Sequence, residues 1–291
     1  MASMREIKRR KGSIQSTAQI TKAMKLVSTV KFQKAKGKAE GSKPYFDKMY
    51  ETVTSILART GNVIHPYLTG GDSKKKAIIV ITSNRGLAGG YNANVVKLIT
   101  ASGIAPEDAI LYTIGRKGKD ILSHNGYMVA EDYSDVIEAP MYSDAREVGK
   151  AVLDAFAAGT IGEIYLAYTS FKNTVVHIPR LIRLLPVDPS GAPGTGSDPA
   201  TDRSRQLPMN YEPAAEEALD AIIPKYVCSL IYGALMEAVA SENGARMTAM
   251  DNATSNAEEM IDQLTLSYNR ARQGAITQEI TEIVSGSEAL A

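Results

Sequence analysis

Residues 211–285 read YEPAAEEALDAIIPKYVCSLIYGALMEAVASENGARMTAMDNATSNAEEMIDQLTLSYNRARQGAITQEITEIVS. After Pro224 the segment has no further proline, and apolar residues recur every three to four positions, as on one face of an α-helix. These residues are Leu219, Ile222, Ile223, Tyr226, Leu230, Leu235, Val239, Met247, Met250, Ile261, Leu264, Tyr268, Ile276, Ile280 and Ile283. At 1.5 Å per residue, one helix over this segment would be roughly 110 Å long. Such a length predicts a shaft rather than an element packed inside one soluble domain.

A second long helix is predicted over residues 3–59. Gly12, Gly37 and Gly41 weaken it, and Pro44 should either bend it or mark a break. Its apolar stripe comprises Ile7, Ile14, Ala18, Met24, Val27, Val30, Ala35, Ala39, Phe46, Met49, Val53, Ile56 and Leu57. Because the stripe is thin and surrounded by lysines, this helix is expected to need a partner.

The charges favour pairing of the two helices. Residues 1–48 contain 13 Lys or Arg and three acidic residues, whereas residues 211–291 contain 13 acidic and four basic residues. The formal net charge of +1 conceals this asymmetry. The simplest arrangement is an antiparallel coiled coil of the basic and acidic helices, left-handed if the repeat is near 3.5 residues.

Between these helices, short apolar runs alternate with helical segments. Strands are predicted at 77–82, 109–114, 127–129, 163–171 and 175–187, and helices at 93–102, 116–125 and 142–159. Ser143 or Asp144 is expected to cap the last helix. Pro179 confines the last strand to an edge or a bulge. The alternation predicts a doubly wound, Rossmann-like α/β domain inserted between the terminal helices.

The predicted organisation has four parts. Residues 1–60 form the N-terminal coiled-coil helix, and residues 77–190 form the α/β domain. Residues 188–210, rich in Gly, Pro, Ser and Asp, form a flexible loop, and residues 211–291 form the C-terminal coiled-coil helix.

Two stretches could bind a phosphate. ITSNRGLAGGYNANVV (residues 81–96) follows a strand and opens a helix, but it lacks both G-x-G-x-x-G and the P-loop Lys-Ser/Thr pair. GRKGKD, from Gly115, offers Arg116, Lys117 and Lys119 to an anion. The glycines are more simply interpreted as turn formers that allow close strand–helix packing. A nucleotide-binding α/β enzyme remains the first alternative.

Other chemistry has little support. His65, His124 and His177 are far apart in sequence, so no metal site is predicted. The single cysteine, Cys228, excludes an internal disulfide and reads as a small buried hydrophobe. Acid pairs such as Glu258–Glu259 have no histidine or cysteine beside them. We therefore predict no catalytic residue and no cofactor.

The basic N-terminal stretch could bind nucleic acid, which makes a coiled-coil scaffold or nucleic-acid binder the second alternative. Few aromatic residues interleave with the basic ones, so there is no stacking platform, and an acidic protein partner explains the charge equally well. No apolar run reaches 18 residues, so no helix that spans a bilayer is expected.

The segment SENGARMTAMDNATSNA (residues 241–257) is dense in small residues. As a helix, it would let another backbone approach closely and would present few apolar side chains to a surrounding protein. On propensity alone, it could instead be a loop between two shorter helices.

Four blocks together resemble the gamma subunits of F-type ATP synthases, of the bacterial type. They are REIKRRKGSIQSTAQITKAMKLVSTVKFQKAK (5–36), TSNRGLAGGYNANV (82–95), ASENGARMTAMDNATSNAEEMI (240–261) and LTLSYNRARQGAITQEITEIVSG (264–286). Their order and spacing extend the resemblance over nearly the whole chain, and it is weakest over residues 188–210.

The resemblance implies a non-catalytic rotor shaft inside a ring of three alpha and three beta subunits. Its α/β domain would rest, with the epsilon subunit, on the membrane ring of c subunits, at the cytoplasmic face of the cell membrane. Ion flow would turn the ring and the shaft together. The family pattern implies that Arg272, Gln273 and Thr277 meet acidic loops of beta. It also implies that Met24, with Lys22 and Lys25, lies near a second acidic segment of beta. No nucleic acid is implied, and the membrane is met only through the c-ring.

Overall fold

The computed structural model describes residues 3–59, 65–71, 73–174, 176–187 and 215–288. Its helices are α1 (Met4–Arg59), α2 (Pro66–Thr69), α3 (Tyr91–Thr100), α4 (Arg116–His124), α5 (Tyr142–Ala157) and α6 (Ala215–Glu288). Its strands are β1 (Lys76–Ile81), β2 (Ala109–Ile114), β3 (Met128–Asp132), β4 (Glu163–Phe171) and β5 (His177–Leu185). A short 3₁₀ helix covers Ser134–Glu138. Along the chain, a long helix therefore precedes the α/β region and another follows it, as the sequence predicts.

The five strands form one sheet in the order β3-β2-β1-β4-β5. β1 pairs in parallel with β2 and β4, and β2 pairs in parallel with β3. β5 pairs antiparallel with β4 at the edge of the sheet. Pro179 lies on this edge strand, where a residue without an N–H is tolerated, so the edge prediction is confirmed.

Alternate residues of β1 pack into two separate cores, because successive side chains of a strand point to opposite faces. Ile78 and Val80 belong to a cluster with residues of α3 and α4. Ile79 and Ile81 belong to a cluster with residues of α5 and α6. All four β1 side chains are fully buried, and each contributes about 1.5–3 kcal/mol. Helices thus cover both faces of the sheet, which is the doubly wound arrangement.

The structure decides two alternatives that the sequence leaves open for the helices. α6 is continuous through residues 241–257, so the loop alternative for that segment is wrong. α1 continues through Pro44, so Pro44 does not mark a break. In residues 241–257, the burial of Ser241, Asn243, Met250 and Thr254 outweighs the low helix propensity of the stretch.

The predicted cap of α5 is also wrong. The N-cap residue is Met141 rather than Ser143 or Asp144. Asp144 lies in the first turn, where its carboxylate accepts a hydrogen bond of 2.9 Å from the Met141 N–H. The helix therefore starts earlier than its capping carboxylate, as in the second half of a capping box.

The chain divides into two compact units. The shaft unit comprises Met1–Thr29 and Arg246–Ala291, and the α/β unit comprises Val30–Ala245. Predicted boundaries at residues 60, 77, 190 and 211 stay predictions. Residues 188–210 lie outside the described residues.

In the shaft unit, α1 and α6 pair antiparallel. The Thr21 and Thr254 hydroxyls share a buried hydrogen bond of 2.7 Å. Four residues further along α1, Lys25 forms an ion pair of 2.5 Å with Asp251, three residues earlier on α6. The basic helix thus meets the acidic one, as the charges predict. Handedness of the supercoil stays a prediction.

Candidate partner-binding surfaces

The end of α6 extends past the first residue of α1. The Lys25–Asp251 pairing, continued in antiparallel register, places Met4 opposite a residue near 272. From residue 272 to residue 287 every side chain is exposed. Within the described residues, this part of α6 therefore has no packing partner from its own chain.

This exposed end carries an apolar stripe. Ile276, Ile280, Ile283 and Val284 stand at helical spacing, with 45%, 57%, 66% and 51% of their surface accessible. Exposed apolar residues on one helix face indicate a site for protein–protein contact. The family pattern does not single out these residues, but the periodicity at the end of the predicted shaft could have found them.

Arg272, Gln273 and Thr277 lie on the same exposed end of α6. The Thr277 hydroxyl donates to the Gln273 carbonyl at 2.9 Å, within the helix itself. A guanidinium, an amide and a hydroxyl on one exposed helix can all donate hydrogen bonds to carboxylates.

Lys22, Met24 and Lys25 lie on one turn of α1. Lys22 is exposed and Met24 is half-buried, whereas Lys25 is paired with Asp251 of α6. The antiparallel register places Met24 opposite a residue near 252. Arg272 lies twenty residues further along α6, so the two groups are about 30 Å apart. The six predicted contact residues therefore form two separate surfaces.

Apolar residues near Lys22 in sequence are also exposed on α1. Ile20, Leu26 and Val27 are each about 60% exposed. The predicted apolar stripe placed Val27 on the packed face, which is wrong. Thr21 and Ser28 are buried there instead, because two helices approach closely through small polar side chains.

In the α/β unit, the glycines of the GRKGKD stretch serve packing. A Cβ on Gly115, whose φ is +108°, would lie 2.1 Å from the Thr82 carbonyl oxygen. The Thr82 hydroxyl donates to the Gly115 carbonyl at 3.0 Å and accepts from the Gly118 N–H at 2.9 Å. The glycines thus allow two strand ends to meet, which supports their interpretation as turn formers.

The basic residues near these glycines are paired within the chain. Arg116 lies 3.6 Å from Asp135, and Lys119 lies 2.8 Å from Asp132. Burial acts to raise the pKa of Asp132, but hydrogen bonds from Lys119 and Ser134 outweigh it and lower the pKa. Two of the three cations offered to a phosphate are thus already balanced by carboxylates.

A cavity of about 350 Å³ lies between α5 and α6, away from the glycine-rich turn. Its lining is Tyr67, Tyr142, Arg146, Lys150, Leu153, Asp154, Ala157, Pro224, Lys225 and Cys228. Burial raises the pKa of the Cys228 thiol, so it is a poor nucleophile at neutral pH. Across the described ranges, no group of three His, Cys, Asp or Glu residues could hold a metal ion.

By length and composition alone, α6 includes a stretch apolar enough to cross a membrane, and 56% of that stretch is buried inside the protein. The sequence-based expectation found no such stretch, because it counted uninterrupted apolar residues. The apolar side chains of this stretch of α6 pack in the core shared with α5. Burial within the folded chain therefore explains why the stretch is so apolar.

Two long antiparallel helices, an inserted α/β unit that binds one of them, and an exposed helix end define a class of protein. It is a shaft-bearing subunit of a larger assembly, and the described residues hold no catalytic constellation.

Comparisons with known proteins place the chain within this class. A family model described as ATP synthase matches residues 3–290. The chain is 67% identical to the ATP synthase gamma chain of Lachnoclostridium phytofermentans, over 100% of both chains. It is 43% identical to the sodium-ion-specific ATP synthase gamma chain of Acetobacterium woodii, over 99% of this chain and 98% of that one. The chain belongs to the ATP synthase gamma-chain family.

A solved structure shares the fold. The match is to a chain of the Euglena gracilis mitochondrial ATP synthase, in an assembly with F1 and c-ring, at 18% identity and a TM-score of 0.67. It covers 99% of this chain and 94% of that chain. The protein is thus a non-catalytic subunit of ATP synthase with the role of rotor shaft in the central stalk.

Proposed function

We propose that the shaft unit turns inside a ring of three alpha and three beta subunits and contacts beta through two surfaces. Arg272, Gln273 and Thr277 bind one acidic loop of beta, and Lys22, Met24 and Lys25 face a second acidic segment. The observation that carries the proposal is the exposed end of α6, which has an apolar stripe but no partner among the described residues.

The mechanism follows from asymmetry. A shaft with two different faces stabilises a different conformation of each beta subunit at any instant, because a ligand shifts a conformational equilibrium only by its differential affinity. Turning the shaft changes which beta subunit is stabilised. In the synthesis direction, ion flow through the membrane c-ring drives the turn. In the hydrolysis direction, the beta subunits drive it.

We further propose that the α/β unit rests on the c-ring together with the epsilon subunit, at the cytoplasmic face of the bacterial cell membrane. The assembly that includes F1 and c-ring in the Euglena structure supports a placement next to the ring. In this proposal the chain meets the membrane only through the c-ring and binds neither nucleic acid nor nucleotide.

Site-directed photocrosslinking tests the beta contacts. Cys228→Ser removes the single cysteine, and Thr277→Cys or Lys22→Cys then carries a thiol-linked photocrosslinker in the assembled complex. Both positions are expected to crosslink to beta, whereas the exposed Ser123→Cys of α4 is not. Failure of both shaft positions to reach beta contradicts the proposal. Absence of alpha and beta subunits from the purified chain contradicts the assembly itself.

A further inference from the structure

Helix α6 occupies the place where doubly wound sheets usually bind ligands. That place is the crevice beyond the carboxyl ends of the strands, at the point where the chain changes sides of the sheet. Here β1 leads to β2 on one side, and β4 joins β1 on the other, so the crevice lies between β1 and β4.

Three hydrogen bonds join α6 to this crevice. The Tyr91 hydroxyl, at the start of α3, donates to the Ala238 carbonyl at 3.3 Å. The Ser241 hydroxyl donates to the Thr169 carbonyl of β4 at 3.2 Å. The Glu237 carboxylate accepts from the Phe171 N–H, at the end of β4, at 3.2 Å. One turn of the helix is thus held from two separate elements of the α/β unit.

The Thr169 carbonyl has no donor from the sheet. The paired register of β1 and β4 ends at Val80–Ala167, two residues before Thr169. On the other side its register partner is Pro179, which has no N–H. Ser241, fully buried, supplies the donor that neither neighbouring strand provides. The Ser241 side chain of α6 therefore supplies the missing hydrogen bond at the end of β4.

These hydrogen bonds oppose rotation of α6 about its own axis more directly than its apolar contacts do. Hydrophobic burial holds the helix against the sheet but is non-directional, so it resists rotation of the helix about its own axis only through the shapes of side chains. Hydrogen bonds weaken steeply when their geometry is disturbed. A rotation of α6 that moved the Glu237 carboxylate away from its donor, the Phe171 N–H, and the Ser241 hydroxyl away from its acceptor, the Thr169 carbonyl, would break both bonds.

Close packing one turn further along limits the same rotation. A Cβ on Gly244 would lie 2.9 Å from the His177 ring and 3.5 Å from the Phe32 ring. The helix backbone therefore sits directly against a residue of β5 and a residue of α1.

We propose that Tyr91, Glu237 and Ser241 form a torque joint, in which they act as positioning residues that lock α6 against rotation relative to the sheet. Torque applied to the α/β unit then reaches the shaft helix without angular slack. This inference rests on the rotor role of the family. The crevice that binds ligands in other folds of this type here binds the chain's own shaft.

The angular stiffness of the complete complex tests the joint. The head is fixed to a surface with its catalytic sites stalled, and a probe on Ser123→Cys, in the Cys228→Ser background, reports angular fluctuations of the α/β unit. For the triple variant Tyr91→Phe, Glu237→Ala, Ser241→Ala, we expect the variance of the angle to rise about two-fold. A variance equal to that of the parent overturns the proposal.

Matched controls separate the joint from general damage. Thr169→Val removes a buried hydroxyl that has no hydrogen-bond partner among the described residues and leaves the carbonyl that Ser241 binds. Tyr127→Phe removes the hydroxyl of a buried tyrosine that belongs to the cluster under α3 and α4. Both are expected to leave the variance unchanged, and a rise equal to that of the triple variant overturns the proposal.

Amide exchange provides a readout that does not need the triple variant to assemble. Glu237→Ala, in the assembled complex, should speed exchange of the Phe171 amide about ten-fold or more, because that N–H loses its acceptor. Glu237→Gln keeps an acceptor oxygen and should restore most of the protection. Unchanged exchange in Glu237→Ala overturns the joint, whereas loss of alpha and beta subunits from the preparation would contradict the rotor role instead.

Discussion

Lys25 and Asp251 join the two shaft helices through an ion pair with 38% and 53% of the side chains exposed. Pairs this exposed contribute about 0.2–1 kcal/mol, because water screens them. So weak a pair can be exchanged for another carboxylate at little cost. Lys25 therefore suits the proposed beta-binding surface, which would meet three subunits in turn and would have to bind none of them too tightly.

Replacing Met24 by lysine tests the placement of this surface. We expect Met24→Lys to impair coupling between ion flow and ATP synthesis, because a new cation next to Lys22 would hold an acidic partner segment too strongly. The measurement is ion-driven ATP synthesis in membrane vesicles, with Gln19→Lys, exposed on the same helix, as the control. Synthesis by Met24→Lys at the rate of the control argues against the placement.

Gly244 tests the close approach of α6 to its neighbours. Gly244→Ala places a Cβ 2.9 Å from the His177 ring, so the ring must shift, and overpacking of this kind costs about 1–3 kcal/mol. Gly274→Ala, on the same helix, meets no atom within 4 Å and should stabilise the helix by up to about 1 kcal/mol. Thermal unfolding of the purified chain measures both. Equal midpoints for the two variants contradict the packing described for Gly244.

For individual residues, the sequence predicts only part of the burial seen in the structure. Periodicity placed Val27 and Val30 on the packed stripe of α1, yet both are exposed, and Thr21 and Ser28 are buried. Periodicity ranks residues by hydrophobicity, whereas an interface between closely spaced helices selects small residues that can hydrogen bond. The Thr21–Thr254 bond joins residues 233 positions apart, which no local pattern reveals.

The elements of the α/β unit are more predictable than its individual contacts. The β-branched run before Thr82 predicts β1 to within one residue, because a strand buried on both faces needs apolar side chains at every position. The partners of α6 in the crevice are not predictable, because Tyr91, Thr169 and Ser241 lie on three elements that only the fold brings together.

The first strand pair offers a test with pH. Lys76 lies opposite Glu163 on β1 and β4, with Nζ and the carboxylate 2.9 Å apart. Burial acts to raise the pKa of Glu163, but hydrogen bonds from Lys76 and Tyr165 outweigh it, so the pKa is lowered. The hydrogen bond to Glu163 raises the pKa of Lys76 against the opposing effect of burial.

Together these two pKa shifts define the pH range in which the Lys76–Glu163 pair stabilises the folded chain. The contribution of Glu163 is lost as pH falls through its lowered pKa, and that of Lys76 is lost as pH rises through its raised pKa. We expect Lys76→Met to lower the free energy of unfolding by about 0.2–1 kcal/mol near neutral pH, and by less at both extremes. Unfolding midpoints across pH measure the difference. A difference that is the same at every pH contradicts the ion pair.

The exposed end of α6 makes a different prediction for the free chain and for the complex. Ile280→Ser with Ile283→Ser should change the stability of the isolated chain by less than about 0.5 kcal/mol, since both side chains are already exposed. The same variant should reduce recovery of alpha and beta subunits with the chain. Glu279→Gln, exposed on the same helix, is the control. Full recovery with the double variant argues against a partner on this stripe.

On the scale of the whole molecule, composition and order along the chain predict the organisation well. Opposite charges at the two ends predict that the terminal helices pair, and the described pairing is antiparallel with Lys25 against Asp251. The strand–helix alternation predicts the inserted α/β region. What the sequence does not predict is the register of the helices, because a thin apolar stripe allows several alignments of nearly equal energy.

The register of α1 against α6 determines how much of the end of α6 has no helix beside it. Because Met4 lies opposite a residue near 272, about sixteen residues at the end of α6, which ends at Glu288, are not covered by α1. A shift of one heptad along α6 would cover or uncover about 10 Å of helix at 1.5 Å per residue. The position of the contact residues along the shaft therefore depends on the Thr21–Thr254 and Lys25–Asp251 pairs.

Observation of rotation tests the central claim most directly. The assembled complex is fixed through its alpha and beta subunits, and a probe is attached to Ser123→Cys in the Cys228→Ser background. Addition of ATP should make the probe turn continuously in one direction, with pauses at three angles. A probe that stays fixed relative to alpha and beta while the complex hydrolyses ATP would contradict the assignment of this chain as the rotor shaft.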